Sequence, residues 1–117
     1  MSVFDSAEID ITPERVAAWV AEDPALQVVD VREPYEREAG RLEPSRHIEM
    51  ERLASQAETI DRDRPVVFYC RLGARSALAA QAFRAAGYRA HTMTGGLQRW
   101  ADEGRPLVPA DGRVAPH

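Results

Sequence analysis

The 117-residue chain contains no lysine and no asparagine, and Cys70 is its single cysteine. Without lysine there is neither a Schiff-base nucleophile nor the cation of a Walker A phosphate loop. Without asparagine there is no N-glycosylation site. A lone cysteine excludes an intramolecular disulfide and a C-x-x-C redox pair, so thioredoxin-like chemistry is not expected. The three histidines, His47, His91 and His117, stand at no metal-ligand spacing among themselves or with Cys70, and neither a metal nor an organic cofactor is expected. No apolar stretch approaches the roughly 18 residues that a bilayer span needs. The opening "MSVFDSAEID" is acidic where a secretory signal is basic and then apolar. These absences read as a cytoplasmic protein without a membrane partner.

What is present fits one soluble domain: 44% hydrophobic and 29% charged residues, in a chain long enough to bury about two thirds of its unfolded surface. The net charge of −4 comes with arginines interleaved among acids, which argues against a nucleic-acid partner, since phosphate contacts dominate such affinity. The stretch from Cys70 to Ser76 breaks that pattern, carrying Arg71 and Arg75 and no acid. It is a local positive spot on an acidic protein.

Along the chain, strand and helix signals alternate. "AEIDIT" reads as a short strand, and Thr12 followed by Pro13 reads as an N-cap and first helical residue, opening a helix with Val16, Trp19 and Val20 on one face. "LQVVDV" and "PVVFY" are short apolar runs of the kind that form buried strands. Between them lie "EPYEREAG", a short acidic helix ended by Gly40, and "MERLASQAETI", a second helix. "SALAAQAFRAAG" is the clearest helix, with Leu78, Ala79, Ala82, Phe83 and Ala86 at helical spacing and Gly87 as its stop. "YRAHTM" alternates as a strand and "LQRWADEG" closes with a short helix. The tail, residues 107–117, is expected to be extended and partly disordered, outside a core at about residues 9–106. The alternation predicts an α/β fold, a mostly parallel central sheet with helices on both faces.

In such sheets ligands bind beyond the carboxyl ends of the strands, and Cys70 sits at such an end, directly before a helix. A free cysteine is most often a small buried hydrophobe, but here residues 71–76 form a strand-to-helix turn whose N–H groups converge. Unpaired amides and the helix dipole favour an anion at that point, and Gly73 lets the backbone curve around it. Thiolates are favoured at helix N-termini and beside arginine. The residues therefore suggest a reactive, anion-binding thiol.

Three motifs carry a family resemblance: "DVREPYEREAG" at 30–40, "YCRLGARS" at 69–76 and "GGLQRW" at 95–100. In that order they resemble the rhodaneses, sulfurtransferases that pass a sulfane sulfur through a cysteine persulfide, over about Ile9 to Pro106. The resemblance implies that Cys70 is the sulfur-accepting cysteine and that Arg71, Leu72, Gly73, Ala74 and Arg75 bind the substrate. Their amides would hold the persulfide, and the two arginines an anionic donor such as thiosulfate. Asp30, Arg32 and Ser76 would give structural support; an ordinary surface ion pair is the alternative for the first two. Gly95 and Gly96 read as a turn that needs positive φ, and Trp100 as a core residue. The acceptor would be cyanide, a thiol or a sulfur-accepting protein. Departures from the family pattern fall at "GRLEPS" (40–45), Glu49 and Leu97, outside the cysteine loop.

Two alternatives share the fold. One is a sulfur-carrier or binding module with little turnover of its own. The other is a phosphatase-like cysteine enzyme. Loops of that kind carry arginine six positions after the cysteine, where this chain has Ser76, with Arg75 one residue early.

Overall fold

The computed structural model describes residues 7–117. Five strands form one sheet in the order β1-β5-β4-β2-β3, every neighbouring pair parallel. The strands are β1 (Asp10–Ile11), β2 (Gln27–Asp30), β3 (Arg46–His47), β4 (Val66–Tyr69) and β5 (Ala90–Met93). The helices are α1 (Pro13–Glu22), α2 (Pro34–Ala39), α3 (Leu53–Gln56), α4 (Ala74–Ala85) and α5 (Gly96–Asp102). This is the α/β architecture that the alternating signals predict. No described helix is long and apolar enough to cross a membrane.

Side chains alternate across a strand, so β4, buried along its whole length, divides its apolar payload between two cores. Val66, Phe68 and Cys70 face Ala79, Ala80 and Phe83 of α4. Val67 and Tyr69 face Val16 and Trp19 of α1 and Leu97 and Trp100 of α5. Because all strands are parallel, their carboxyl ends share one edge, and the residues after β2, β4 and β5 meet there.

Local signals explain most of the elements. The Thr12 hydroxyl caps α1 by accepting the Arg15 N–H at 3.2 Å, with Pro13 in the first turn, where a missing N–H costs nothing. The helix expected from Ser76 starts two residues earlier, at Ala74, because Gly73 takes φ 107° and turns the chain into it. Its buried face is Ser76, Ala79, Ala80 and Phe83, leaving Leu78 62% exposed, so the face expected from apolar spacing is rotated. Ser76 sets that rotation: its hydroxyl lies 2.7 Å from that of Thr92 on β5, and the two small alanines let the helix sit close on the sheet.

Other elements depart further from expectation. The segment expected as one helix over 50–60 is three short turns, with 3-10 geometry on either side of α3. Ser55 and Thr59 donate to the carbonyls of Arg52 and Gln56 at 3.0 and 2.6 Å, bonds that compete with a regular helix. Strand β3, two residues long, has too short a pattern to read from sequence. The tail after Leu107 is extended but not free: Val108 pairs with Arg41 through N–H to carbonyl bonds of 3.0 and 2.8 Å, and Arg113 donates to Ala39 at 2.9 Å. Gly40 permits this, since a Cβ there would stand 2.5 Å from the Arg113 carbonyl oxygen.

The carboxyl end of β2 is held by a buried ionic network. Arg32 grips Asp30 through Nε at 2.9 Å and Nη2 at 2.8 Å, and both side chains are fully buried. Nη2 also donates to the Gly40 carbonyl at 2.8 Å, while Tyr69 of β4 donates to Asp30 at 3.1 Å. Burial, then the charge of Asp30, pushes the Tyr69 hydroxyl well above the ordinary tyrosine range. The pair anticipated from the D-x-R spacing is thus buried rather than at the surface. Asp30→Ala should cost about 3–5 kcal/mol of stability, because Arg32 would remain buried and unpaired. Equilibrium urea unfolding measures this, and a loss under about 1 kcal/mol, the size for a surface pair, would contradict it.

Candidate functional site: the Cys70 loop

Residues 70–75 run from the end of β4 into the first turn of α4. The Cys70 Sγ, 1% exposed as a residue, accepts the Gly73 N–H at 3.1 Å and lies 3.5 Å from both the Ser76 N–H and the Ser76 hydroxyl. The two N–H groups donate to the sulfur, and the thiol donates to the Ser76 hydroxyl. The loop is gripped from behind: α5 donates the Leu97 N–H to the Cys70 carbonyl at 2.8 Å and the Gln98 N–H to the Arg71 carbonyl at 3.0 Å. That approach requires Gly96, at φ 63°, where a Cβ would stand 2.4 Å from the Arg71 carbonyl oxygen. Gly95, at φ 77°, supplies the other half of the turn expected from the glycine pair.

In front of the sulfur is a cavity of about 190 Å³ lined by Cys70, Arg71, Leu72, Ala74, Arg75 and His117, room for an anion of a few heavy atoms. A larger groove of about 510 Å³ between α3 and α4 is walled by residues such as Leu53, Leu78 and Phe83. Its one hydroxyl, that of Tyr88, is already bonded to the Ala57 carbonyl at 2.9 Å. The thiol and the two loop arginines line the smaller space.

The two arginines of the loop behave differently. Arg75 forms a two-pronged pair with Glu36 of α2, at 2.8 and 3.0 Å, and Glu36 is fully buried. Burial opposes ionisation of Glu36, but the Arg75 hydrogen bonds, a backbone N–H bond at Glu33 and the charges of Arg75 and His117 hold its carboxyl below the ordinary range. Among the described residues Arg71 makes no ion pair, and its buried Nε has no hydrogen-bond partner. A buried donor without an acceptor is costly, and Arg71 is also one of the residues lining the cavity. Of the residues anticipated from sequence, Cys70 and Arg71 to Arg75 come together, Ser76 supports the sulfur from beneath, and Asp30 and Arg32 brace the sheet edge. Glu36 and His117 were not anticipated. The N–H of Glu33 bonded to the Glu36 carboxylate at 3.0 Å is half of a capping box, and the E-x-x-E spacing was the available sign for Glu36.

A parallel α/β domain with its one cysteine at the carboxyl edge of the sheet, accepting two backbone N–H groups at a helix start, is of the class built around a cysteine loop, a place in such sheets where ligands can bind. Comparison narrows the class. The family model for the rhodanese-like domain matches residues 12–103. A sulfurtransferase of Allochromatium vinosum is 33% identical over 88% of this chain and 97% of its own. The thiosulfate sulfurtransferase GlpE of Pseudomonas aeruginosa is 33% identical over 86% of this chain and 87% of its own. The crystal structure of a rhodanese-related protein from Thermoplasma volcanium superposes with a TM-score of 0.79 at 30% identity, covering 86% of this chain and 98% of that one. The chain belongs to the rhodanese family.

The Glu36–Arg75 pair ties Arg75 to a fully buried carboxylate and so gives it weight in folding. Arg75→Ala should cost about 3 kcal/mol at neutral pH, the low end for breaking a buried ion pair. The Glu36 carboxyl is depressed in the folded state, so its contribution is complete above the ordinary value of 4.5 and is lost as pH falls through the lower, folded value. The stability gap between wild type and variant should therefore narrow in acid. A gap independent of pH, measured by urea unfolding from neutral to acid, would contradict this account.

Proposed function

We propose that the protein is a sulfurtransferase that carries sulfane sulfur as a persulfide on Cys70. The Cys70 thiolate attacks the outer sulfur of an anionic donor such as thiosulfate. An S–S bond forms to Sγ, the donor's own S–S bond breaks, and its electron pair leaves with sulfite. A nucleophile, cyanide or an acceptor thiolate, then attacks the outer sulfur of the persulfide. The Sγ–S bond breaks, its pair returns to Cys70, and thiocyanate or the acceptor persulfide departs.

The observation that carries this reading is a cavity pairing the Cys70 sulfur with an arginine, Arg71, whose buried Nε has no acceptor. Support also comes from the carbonyl bonds to α5. Because trans peptides are planar, fixing the carbonyls of Cys70 and Arg71 on α5 turns the N–H groups of residues 71 and 72 away from it. With the Gly73 N–H, these would cradle a persulfide sulfur, Arg71 would hold the donor's sulfonate group, and Arg75, held by Glu36, would wall the cavity. The thiosulfate sulfurtransferase named among the relatives makes that donor the first to try.

The phosphatase alternative fits less well. The guanidinium of Arg75 is engaged by Glu36, and the sixth position after the cysteine is Ser76, so no arginine there surrounds a phosphoryl group. Displacement of donors by about 1 Å can cost a hundredfold in rate.

Intact-mass measurement should find one added sulfur after thiosulfate treatment, removed by cyanide with formation of thiocyanate. Cys70→Ser should abolish both while keeping the fold, because serine ionises far too weakly to accept sulfur at neutral pH. Aryl phosphates should not be hydrolysed. Undiminished turnover in Cys70→Ser, or Cys70-dependent phosphatase activity, would overturn the assignment; loading without turnover would identify a sulfur carrier.

A further inference from the structure

The segment after α5 is tied to the protein at several points, although most of its residues, His117 among them, are exposed. The Trp100 indole N–H donates to the Pro106 carbonyl at 2.8 Å. Val108 then pairs with Arg41, and the Gly112 N–H closes a turn onto Pro109 at 2.8 Å. Gly112 packs against the Ala39 carbonyl and Gly40, with a hypothetical Cβ only 3.0 Å from that oxygen. Further on, Ala115 is buried, 4% exposed, and the Tyr35 hydroxyl of α2 donates to the Pro116 carbonyl at 3.1 Å. The segment crosses α2 and ends on the Cys70 loop, where His117 forms part of the cavity wall with Arg71 and Arg75. Its charge also contributes to holding the Glu36 carboxyl ionised.

We infer that His117 is a donor-binding residue of the site, and that the segment 108–117 is a strap holding its imidazole beside Arg71 to grip the anionic head of the sulfur donor. This rests on the sulfur-transfer reading for the identity of the donor, though not for the presence of an anion site. The chemistry is specific to the position. Arg75 is occupied by Glu36, so Arg71 alone among the loop arginines is available to an anion, and a single guanidinium leaves one side of a tetrahedral sulfonate unmet. An imidazole presents at least one N–H donor in either protonation state, and hydrogen bonds to a charged group are stronger than neutral ones. His117 shares the cavity lining with Cys70, Arg71 and Arg75 of the loop, its neighbour Pro116 accepts from Tyr35 of α2, and Glu36 of α2 is near enough to feel its charge. Of the side chains named, Glu36 bears a carboxylate, and it is paired with Arg75.

The test is thiosulfate binding by calorimetry to full-length Cys70→Ser, which holds the donor without turning it over. His117→Ala added to that background should weaken binding about tenfold, the loss expected for one hydrogen bond to a charged group. His117→Gln, which keeps an N–H donor, should recover part of it. Tyr35→Phe, which frees the strap at Pro116 without touching the cavity, should weaken binding by a smaller factor. In the Cys70 protein, His117→Ala should raise the half-saturating thiosulfate concentration for sulfur loading and leave the maximal loading rate within about twofold. Equal affinity with and without His117, or no thiosulfate binding to Cys70→Ser, would overturn the inference. Tight, His117-dependent binding without sulfur loading in the Cys70 protein would instead remove the sulfur-transfer reading and leave the anion site standing.

Discussion

The site depends on two hydrogen bonds that contain no catalytic atom. Leu97 and Gln98, in the first turn of α5, donate their N–H groups to the carbonyls of Cys70 and Arg71. These amides have no partner within their own helix, and the loop supplies one. The exchange fixes the loop's peptide planes, and with them the side on which its own amides face. Gly96 is the condition for it, because any Cβ there meets the backbone of Arg71 and Cys70 at under 3 Å. A glycine pair that reads as a simple turn is the contact that shapes the Cys70 loop.

Around that loop the charges are sorted by depth. Asp30 and Arg32 are fully buried and fixed to each other and to Gly40. Glu36 is equally buried but pairs with an arginine that reaches the cavity. Arg71 pairs with no carboxylate among the described residues. A buried ion pair contributes little net stability, since desolvation offsets the attraction, but it is costly to break. The two pairs thus fix positions: one joins the ends of β2 and β4 through Tyr69, and the other ties α2 to the start of α4. Among the described residues, what remains unpaired is the Arg71 guanidinium, which lines the same cavity as the Cys70 thiol, the arrangement that the proposed reaction with a small anion calls for.

Much of this was legible in the sequence. The apolar runs of β2 and β4 read as buried strands because a strand covered on both faces has no polar side. The cysteine loop read as an anion site because its composition, a thiol, glycine and two arginines before a helix, departs from the mixed charge elsewhere. Partners distant in sequence were less legible. Arg75 lies 39 residues from Glu36, and no local pattern says that this acid, among 19, is buried. Leu78 sat at helical spacing yet faces outward, because the Ser76–Thr92 contact, a tertiary one, sets the rotation of α4. The proline- and glycine-rich tail read as loose because its composition forbids regular structure; its order comes from backbone bonds to Arg41 and Ala39 and from the bare surface of Gly40.

The central claim is that the amides of residues 71–75 cradle a sulfur carried on Cys70. A crystal structure of the protein after thiosulfate treatment tests it most directly. The account predicts a second sulfur bonded to Sγ, within hydrogen-bonding distance of the loop amides and beside the Arg71 guanidinium. An unmodified thiol in the treated crystals, or an added sulfur turned away from those amides, would contradict it.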